Sequence, residues 1–486
     1  MEGGHLLRFL DKNDREKIEI LKYLDARGKE SQCFKKITED TGYSSYQIQK
    51  IVSELNDDLQ KLKLRDDFKL EVNRGAVKYC RNEQKNIAYL MAQFANQSRV
   101  KALISAILQN DVEDIFDLEE ILYLSTTQTY QFVREFEKKA SFFDIKIDKN
   151  IEFVGIEWEI RNFLYQYYYN LFGVYVQPFP LEIVGIANEI KEDLYESDYF
   201  KRSNLTDGDE LKLLYFLIVM LSRNLSGNVA QQFDDGLDHA LGQNHELFVI
   251  FSQYLKGNEI GIREEVLQFV YFLHTESIVK FDNFQTHHKI LALNALVVEQ
   301  VSIVFDECLF RNKSAFIEDL TNIHRLAFFY KRTRFSTALY ENFSFHAEYY
   351  KISMTAVEKI IQRLLENSDL KNFVKRFKNN IIHEYVFLLL GHLKLDQLIR
   401  PINISICFSY GTNYDEYLTK AVLALGFLNL NVVKSDADIY LSDVPSQKNY
   451  SAQVIWSGAP TLKDWQDLDH TIIKVRQEKS SLKEEI

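Results

Sequence analysis

The sequence predicts a mainly α-helical chain of several domains that ends in a small α/β domain. Three observations lead there. Glycine and proline are scarce, 18 and 5 in 486 residues, while hydrophobic residues reach 46%, so long helices meet few breakers. Between Trp158 and about Leu398 the apolar residues recur almost entirely at helical spacing. Beyond Pro401 the spacing changes to period two, in Ile402-Asn403-Ile404-Ser405-Ile406-Cys407. A chain of this length exceeds one ordinary core, and three to five domains are expected.

Composition narrows the function classes. The cysteines, Cys33, Cys80, Cys308 and Cys407, are scattered and form no CxxC pair, so neither a zinc site nor a disulfide framework is predicted. No HExxH and no carboxylate–histidine cluster with ligand spacing occurs, and His287-His288, adjacent on the chain, would point in different directions. Neither a metal nor a cofactor nor an enzyme active site is therefore expected. The most apolar stretch, Leu211 to Leu221, contains Lys212 and is far too short to span a bilayer. With no basic-then-apolar leader, a soluble cytoplasmic protein with no membrane partner is expected. The net charge is −12, which at first sight argues against a nucleic-acid partner. Its distribution matters more: residues 1–150 carry 25 Lys and Arg against 26 Asp and Glu, and the remainder 33 against 44. The acidity lies toward the C-terminal end and leaves DNA binding open at the front.

The front third carries a pattern that fits that partner. Asp14 to Ala26 reads as a helix with Ile18, Leu21 and Leu24 on one side, closed by Gly28. A short helix around Gln32 to Asp40 follows, then the turn Thr41-Gly42-Tyr43, where glycine can take a positive φ. Ser44 and Gln47 make a capping box for a third helix. That helix buries Ile48, Ile51, Val52, Leu55 and Leu59 and shows Ser45, Tyr46, Gln47, Gln49, Lys50 and Ser53 outward. Helix, helix, glycine turn and capped helix is the helix-turn-helix order. Phe68 to Val72, the turn Asn73-Arg74-Gly75, and Ala76 to Tyr79 read as a hairpin wing. Lys69, Arg74, Lys78 and Arg81 on or beside it could reach phosphates.

The pattern recurs 81 residues later, where Ser44 falls on Ser125, Gln47 on Gln128, Val52 on Val133 and Leu55 on Phe136. Val100 to Leu108 and Asp117 to Leu124 supply the preceding helices, and Phe143 to Phe153 a second wing. The outward face of the repeat is Thr126, Thr127, Gln128, Gln131, Arg134 and Lys138. Such side chains read base edges and phosphates, and they are also ordinary surface residues.

The middle holds two related helical stretches of roughly 110 residues each. Leu211 to Leu221 has an echo in Leu320 to Arg332, and Phe269 to His274 in Tyr385 to His392. Histidines on such apolar helices are most often core residues, and residue chemistry alone goes no further.

With these segments in view, the chain resembles the Mga/AtxA-type virulence regulators of Gram-positive bacteria across essentially its whole length. The matching segments are Gly42-Tyr43-Ser44-Ser45-Tyr46-Gln47-Ile48, Ser125-Thr126-Thr127-Gln128 and the histidine helices, and their order is the specific part of the match. The resemblance implies two winged helix-turn-helix domains at 1–82 and 83–157. Two all-helical phosphotransferase-regulation domains, 158–287 and 288–399, follow, and a domain similar to a transporter IIB subunit fills 400–486. It implies a DNA-binding global regulator that dimerises and is phosphorylated on histidine by phosphotransferase-system phosphocarrier proteins. His324, followed by Lys331 and Arg332, matches the first histidine segment of such a domain and ranks first among the phosphate acceptors, ahead of His274 and His392, whereas Phe216 replaces the corresponding histidine of the first module. His274 fits the second histidine of the first module. For the second module the choice stays open between His383, 59 residues beyond His324, and His392, which has the better local sequence.

The tail fits the same outline, with a helix from Tyr414 to Leu425 and strands at Leu428 to Val433 and Ile439 to Leu441, a parallel α/β layer. Transporter subunits of one class carry phosphate on a cysteine after the first strand. Cys407 lies near that place, but Phe408-Ser409-Tyr410-Gly411 lacks a small glycine-rich loop, so Cys407 reads as a strand residue. Two other classes stand beside the regulator: a phosphotransferase-system enzyme component, and an RNA-binding antiterminator, whose small β-rich N-terminal domain this helical front does not resemble.

Overall fold

The computed structural model describes residues 7–27, 30–82, 84–198, 200–201, 205–230, 244–279, 288–305, 310–329, 347–368, 370–394, 401–427 and 429–481. Gly28, His287, Cys308, Leu428, Lys331 and Arg332, all named above, lie outside them. The chain divides into two compact units, Met1–Asn294 with Thr321–Asn342 and Asn379–Ile381, and Ala295–Leu320 with Phe343–Lys378 and Ile382–Ile486.

The first unit opens with a single helical turn, Leu7–Phe9, then α1 (Lys12–Asp25), β1 (Gln32–Cys33), α2 (Phe34–Thr41) and α3 (Ser45–Lys61). Gly42 ends α2 at φ +79° with its N–H on the Thr38 carbonyl, a left-handed conformation that costs glycine nothing. Ser44 then caps α3: its Oγ accepts from Gln47 N at 3.3 Å, and Gln47 Oε1 accepts from Ser44 N at 2.9 Å. The buried residues of α3 are Ile48, Ile51, Val52, Leu55 and Leu59, one stripe at helical spacing. Strands β2 (Phe68–Asn73) and β3 (Ala76–Arg81) pair antiparallel from Phe68↔Arg81 to Asn73↔Ala76. They turn at Arg74 and Gly75, both at positive φ, as a two-residue hairpin requires. The helix expected from Gln32 starts at Phe34 instead, because Gln32 and Cys33 pair with Val77 and Ala76 and extend the hairpin to three strands.

The second half of the front repeats this plan with α4 (Ile87–Gln97), α5 (Arg99–Gln109), α6 (Ile115–Leu122), α7 (Thr126–Ala140), β4 (Lys146–Ile147) and β5 (Phe153–Val154). Helix α6 begins two residues before the expected Asp117. Asp114 caps it, accepting from Phe116 N at 2.8 Å and Asp117 N at 3.2 Å, a start signal the hydrophobic pattern does not carry. Phe9 joins the two halves: fully buried, it packs against Phe136 of α7 at 6.0 Å between ring centroids. It also meets Phe163 and Tyr167 of α8 (Glu157–Phe172), at 5.3 and 5.9 Å.

Helix α8 is buried on all sides, with 14 of its 16 residues out of solvent. It packs with α9 (Leu181–Glu196), α10 (Asp207–Leu225), α11 (His245–Tyr254) and α12 (Glu259–Thr275) in one continuous hydrophobic core with the helix-turn-helix region. A charge in such a place must be paired. Arg161 donates from Nε to Glu157 Oε1 at 2.8 Å and from Nη2 to Glu265 Oε1 and the Asn228 carbonyl at 2.9 and 2.8 Å. Its Nη1 reaches Glu265 Oε2 and Gln268 Oε1. Arg223 of α10 holds the other side of Glu157 at 3.0 and 2.7 Å. Two arginines face two glutamates, and the cluster is neutral.

The second unit takes residues from α13 (His288–Val304), α14 (Lys313–Phe329), α15 (Ala347–Glu366) and α16 (Lys371–His392), and ends in the α/β tail. There β6 (Ile402–Ile406), β7 (Leu430–Val432), β8 (Ile439–Ser442) and β9 (Ala452–Ile455) form a parallel sheet in the order β7-β6-β8-β9. Ile402, Ile404, Ile439 and Leu441 meet Leu418 and Val422 of α17 (Thr412–Leu423) and Leu468 and Ile472 of α18 (Leu462–Ser481) in its core.

Replacing Arg161 by alanine strands Glu265, which is fully buried. The expected loss is about 3–5 kcal/mol, the cost of an unpaired buried charge, read as a lowered unfolding temperature in calorimetry. A variant melting like the parent would show that the cluster contributes nothing to stability.

Candidate nucleic-acid interface

The two halves of the front superimpose in sequence register. Helix α2 spans Phe34–Thr41 and α6 spans Ile115–Leu122, and α3 and α7 begin at Ser45 and Thr126, each pair 81 residues apart. The same offset carries the buried residues Ile48, Val52, Leu55 and Leu59 of α3 onto Thr129, Val133, Phe136 and Ala140 of α7, all buried. It also carries Gly42 onto Tyr123, and both hold left-handed φ, +79° and +54°. Sequence pattern alone misses that turn, because a tyrosine replaces the glycine; the side chain stands 90% exposed, where its bulk meets nothing.

The outward faces are open. Ser45, Tyr46, Gln47, Gln49, Lys50 and Ser53 on α3, and Thr126, Thr127, Gln128, Gln131, Arg134 and Lys138 on α7, lie on the solvent side, with Tyr46 at 76% exposure. Gln47 and Gln128 are partly committed. Each presents its carboxamide oxygen to the preceding cap residue, Gln128 Oε1 accepting from Ser125 N at 3.1 Å and Oγ at 3.0 Å. Only the amide N–H₂ end of either remains for a base edge. Lys50 sits 3.7 Å from Glu54, and Gln131 donates to Glu135 at 3.2 Å; such exposed contacts within a helix are weak and readily exchanged. The position matching Gln49 in the second helix is Tyr130, 52% exposed, which hydrophobic periodicity passes over and the 81-residue offset supplies.

On the hairpin, Lys69, Arg74 and Lys78 are exposed, with Arg74 at the tip. Arg81 differs: its Nε bonds Asp25 at 2.7 Å and its Nη1 the Lys85 carbonyl at 2.8 Å, so it braces the hairpin against α1. The second hairpin is shorter, two residues per strand, with Lys146 and Lys149 exposed.

The histidines occupy unlike surroundings. His324 is 0% exposed, with Nδ1 2.5 Å from Asn294 Oδ1, and Asn294 in turn donates to Thr321 at 2.8 Å. Burial pushes its pKa down to about 3, so the ring is neutral. His383, half-buried in α16, is also shifted down by burial. His274 lies partly buried in the last turn of α12. His392 ends α16 with its side chain 18% exposed and Nε2 2.8 Å from Asp319 Oδ2.

In the tail, Cys407 follows β6 and is exposed. The backbone beyond it is already taken by carboxylates: Phe408 N donates to Asp415 Oδ1 and Ser409 N to Asp443 Oδ1, both at 2.9 Å. The Ser409 hydroxyl also donates to Asp443, and these bonds hold that carboxyl below the usual carboxylate range. A loop that receives phosphate offers free N–H groups; here two anions occupy them. Among the described residues no group of three or more histidine, cysteine or carboxylate side chains could hold a metal ion, and no helix is long and apolar enough to cross a membrane.

No curated protein matches the chain. Residues 83–168, from α4 through most of α8, match the family described as the Mga helix-turn-helix domain. The capped helix, the left-handed turn and the buried stripe described for α6 and α7 all fall inside that match, and residues 83–168 thus form an Mga-type helix-turn-helix domain.

Proposed function

We propose that this protein is a transcription regulator that holds duplex DNA through two winged helix-turn-helix units, acts as a homodimer and is tuned by phosphotransferase-system histidine phosphorylation. The observation that carries the DNA reading is the 81-residue register. Turn, cap and buried stripe recur together, and each copy leaves a polar helix face and a hairpin with basic side chains open to solvent. A recognition helix for the major groove and a hairpin for the flanking phosphates is what that arrangement serves.

In this reading residues 1–82 and 83–157 are the winged units, 158–287 and 288–399 are phosphotransferase-regulation domains and 400–486 is the IIB-like domain. Pairing is assigned to that last domain on the family resemblance, and two-fold symmetry lets a paired regulator bridge neighbouring DNA sites. A phosphoryl-carrying role for Cys407 is disfavoured by the carboxylates on the neighbouring amides. For the phosphate acceptor, His392 ranks above His383, His274 and His324. A phosphocarrier must reach the ring, and the His392 side chain is 18% exposed at a helix end and oriented by Asp319, whereas His324 is 0% exposed. A phosphate on His392 would bring close to two negative charges beside that carboxylate and displace it.

Three outcomes follow from this reading. Changing Lys50 and Arg134 together to alanine should weaken duplex binding about tenfold or more, since each side chain would meet a phosphate or a base edge, with circular dichroism unchanged. Parental affinity would remove these helices from the interface. Deleting residues 401–486 should shift the protein toward monomer in sedimentation equilibrium, and a truncated chain that pairs as tightly would place the dimer interface elsewhere. Incubation with phosphorylated phosphocarrier protein should label His392 and not His324, as read by mass spectrometry, with His392→Ala abolishing the label. Label on His324 in the folded protein would show that this core opens.

A further inference from the structure

Resting on the DNA reading above, we propose that the two helix-turn-helix units divide the work on DNA: the first supplies the phosphate grip, and the second reads bases while neutralising few phosphates. The register makes the comparison position by position. Around the start of the helix that precedes each recognition helix, the first unit has Gln32, Cys33, Lys35 and Lys36, and the second has Glu113, Asp114, Phe116 and Asp117. Lys35 and Lys36 are exposed, and so are all four residues that replace this set, Phe116 at 63%. In a bound helix-turn-helix this is the helix that crosses the sugar–phosphate backbone. Two lysines there attract phosphates, although Lys36 must first leave Asp40 at 2.9 Å; three carboxylates in the same place repel them.

The hairpins repeat the contrast. The first has six-residue strands with Lys69, Arg74 and Lys78 exposed, and the second has two-residue strands with Lys146 and Lys149 exposed, two cations against three. Over the whole segments, residues 1–82 carry 17 Lys and Arg against 15 Asp and Glu, and residues 83–157 carry 8 against 13. On the recognition helices the offset exchanges charge both ways: Lys50 becomes Gln131, while Ser53 and Asp57 become Arg134 and Lys138. Beside those two cations, Thr126, Thr127, Tyr130 and Gln131 are exposed uncharged side chains of the kind that meet base edges and thymine methyl groups.

Counterion release provides the test, since every phosphate that the protein ceases to neutralise flattens the dependence of log affinity on log salt by about 0.9. Full-length protein is titrated with sheared genomic duplex fragments between roughly 50 and 200 mM salt. Two triple variants are compared, Lys69→Ala/Arg74→Ala/Lys78→Ala and Lys138→Ala/Lys146→Ala/Lys149→Ala. Both triples remove three positive charges from solvent-facing positions, so any shared effect of net charge cancels. The first triple should flatten the slope by roughly two to three, and the second by less than one. Conversely, Thr127→Ala with Gln131→Ala should change which fragments are retained while leaving the slope in place. Equal flattening by the two triples overturns the division, as does a fragment preference indifferent to Thr127 and Gln131. A parent protein that binds no duplex at the lowest salt overturns the DNA reading itself, and the division with it.

Discussion

Everything in the first compact unit depends on helix α8 being buried on every side. A helix enclosed almost all round is not amphipathic, and α8 is not: its sequence mixes Trp158, Phe163, Tyr165, Tyr167 and Tyr168 with Glu157, Glu159, Arg161, Asn162 and Gln166, all buried. Such a helix is stable only inside its partners. On one side Phe163 and Tyr167 receive Phe9, which also touches Phe136 of the second recognition helix. On another, Arg161 and Glu157 close the four-charge cluster with Glu265 and Arg223. An ion cluster in that position is weak evidence for stability but a strong demand on geometry, because one displaced partner leaves a charge without water.

That demand has a functional side. Arg223 lies within cation–π distance of Phe153, 5.9 Å, so the cluster touches the second hairpin directly. The first helix-turn-helix is tied in as well, through Phe9 and through Lys17, which binds Asp14 and Asp58 and lies over the Phe94 ring of α4. Both recognition helices and the helices α8 to α12 therefore share one core. Under the proposed DNA reading, two units fixed to the same support would present a fixed separation to a duplex, and the spacing of the contacted sites would be a property of packing and not of a linker.

What the sequence made legible were features with a period or a local chemical signature. The stripe on α3, the Ser44–Gln47 box, the hairpin turn at Arg74-Gly75 and the alternation Ile402-Asn403-Ile404 each act over a few residues, and each has its expected counterpart in the structure. The features that were not legible are non-local or disguised. Strand β1 is two residues long and exists because β3 offers it an edge. The turn at Tyr123 is invisible to a glycine search, and the start of α6 is set by Asp114, an acceptor outside the hydrophobic pattern. The four-charge cluster joins residues more than one hundred positions apart, as in Arg161 with Glu265, and no periodicity encodes it.

The histidines show the same limit from the chemical side. Local sequence places His324 first among phosphate acceptors, since a motif records identity and neighbours and not access. In the folded chain His324 is a neutral ring bonded to Asn294 and closed off from solvent, while His392, with a less decisive sequence context, stands at a helix end against a carboxylate. Tail residues Asp415 and Asp443 make the complementary point. They are unremarkable in sequence, yet they fill the backbone N–H groups that a phosphate at Cys407 would need. In both places the chemistry open to a residue is decided by what already occupies its hydrogen-bonding positions, and an anion can enter such a site only by displacing an acceptor already in place.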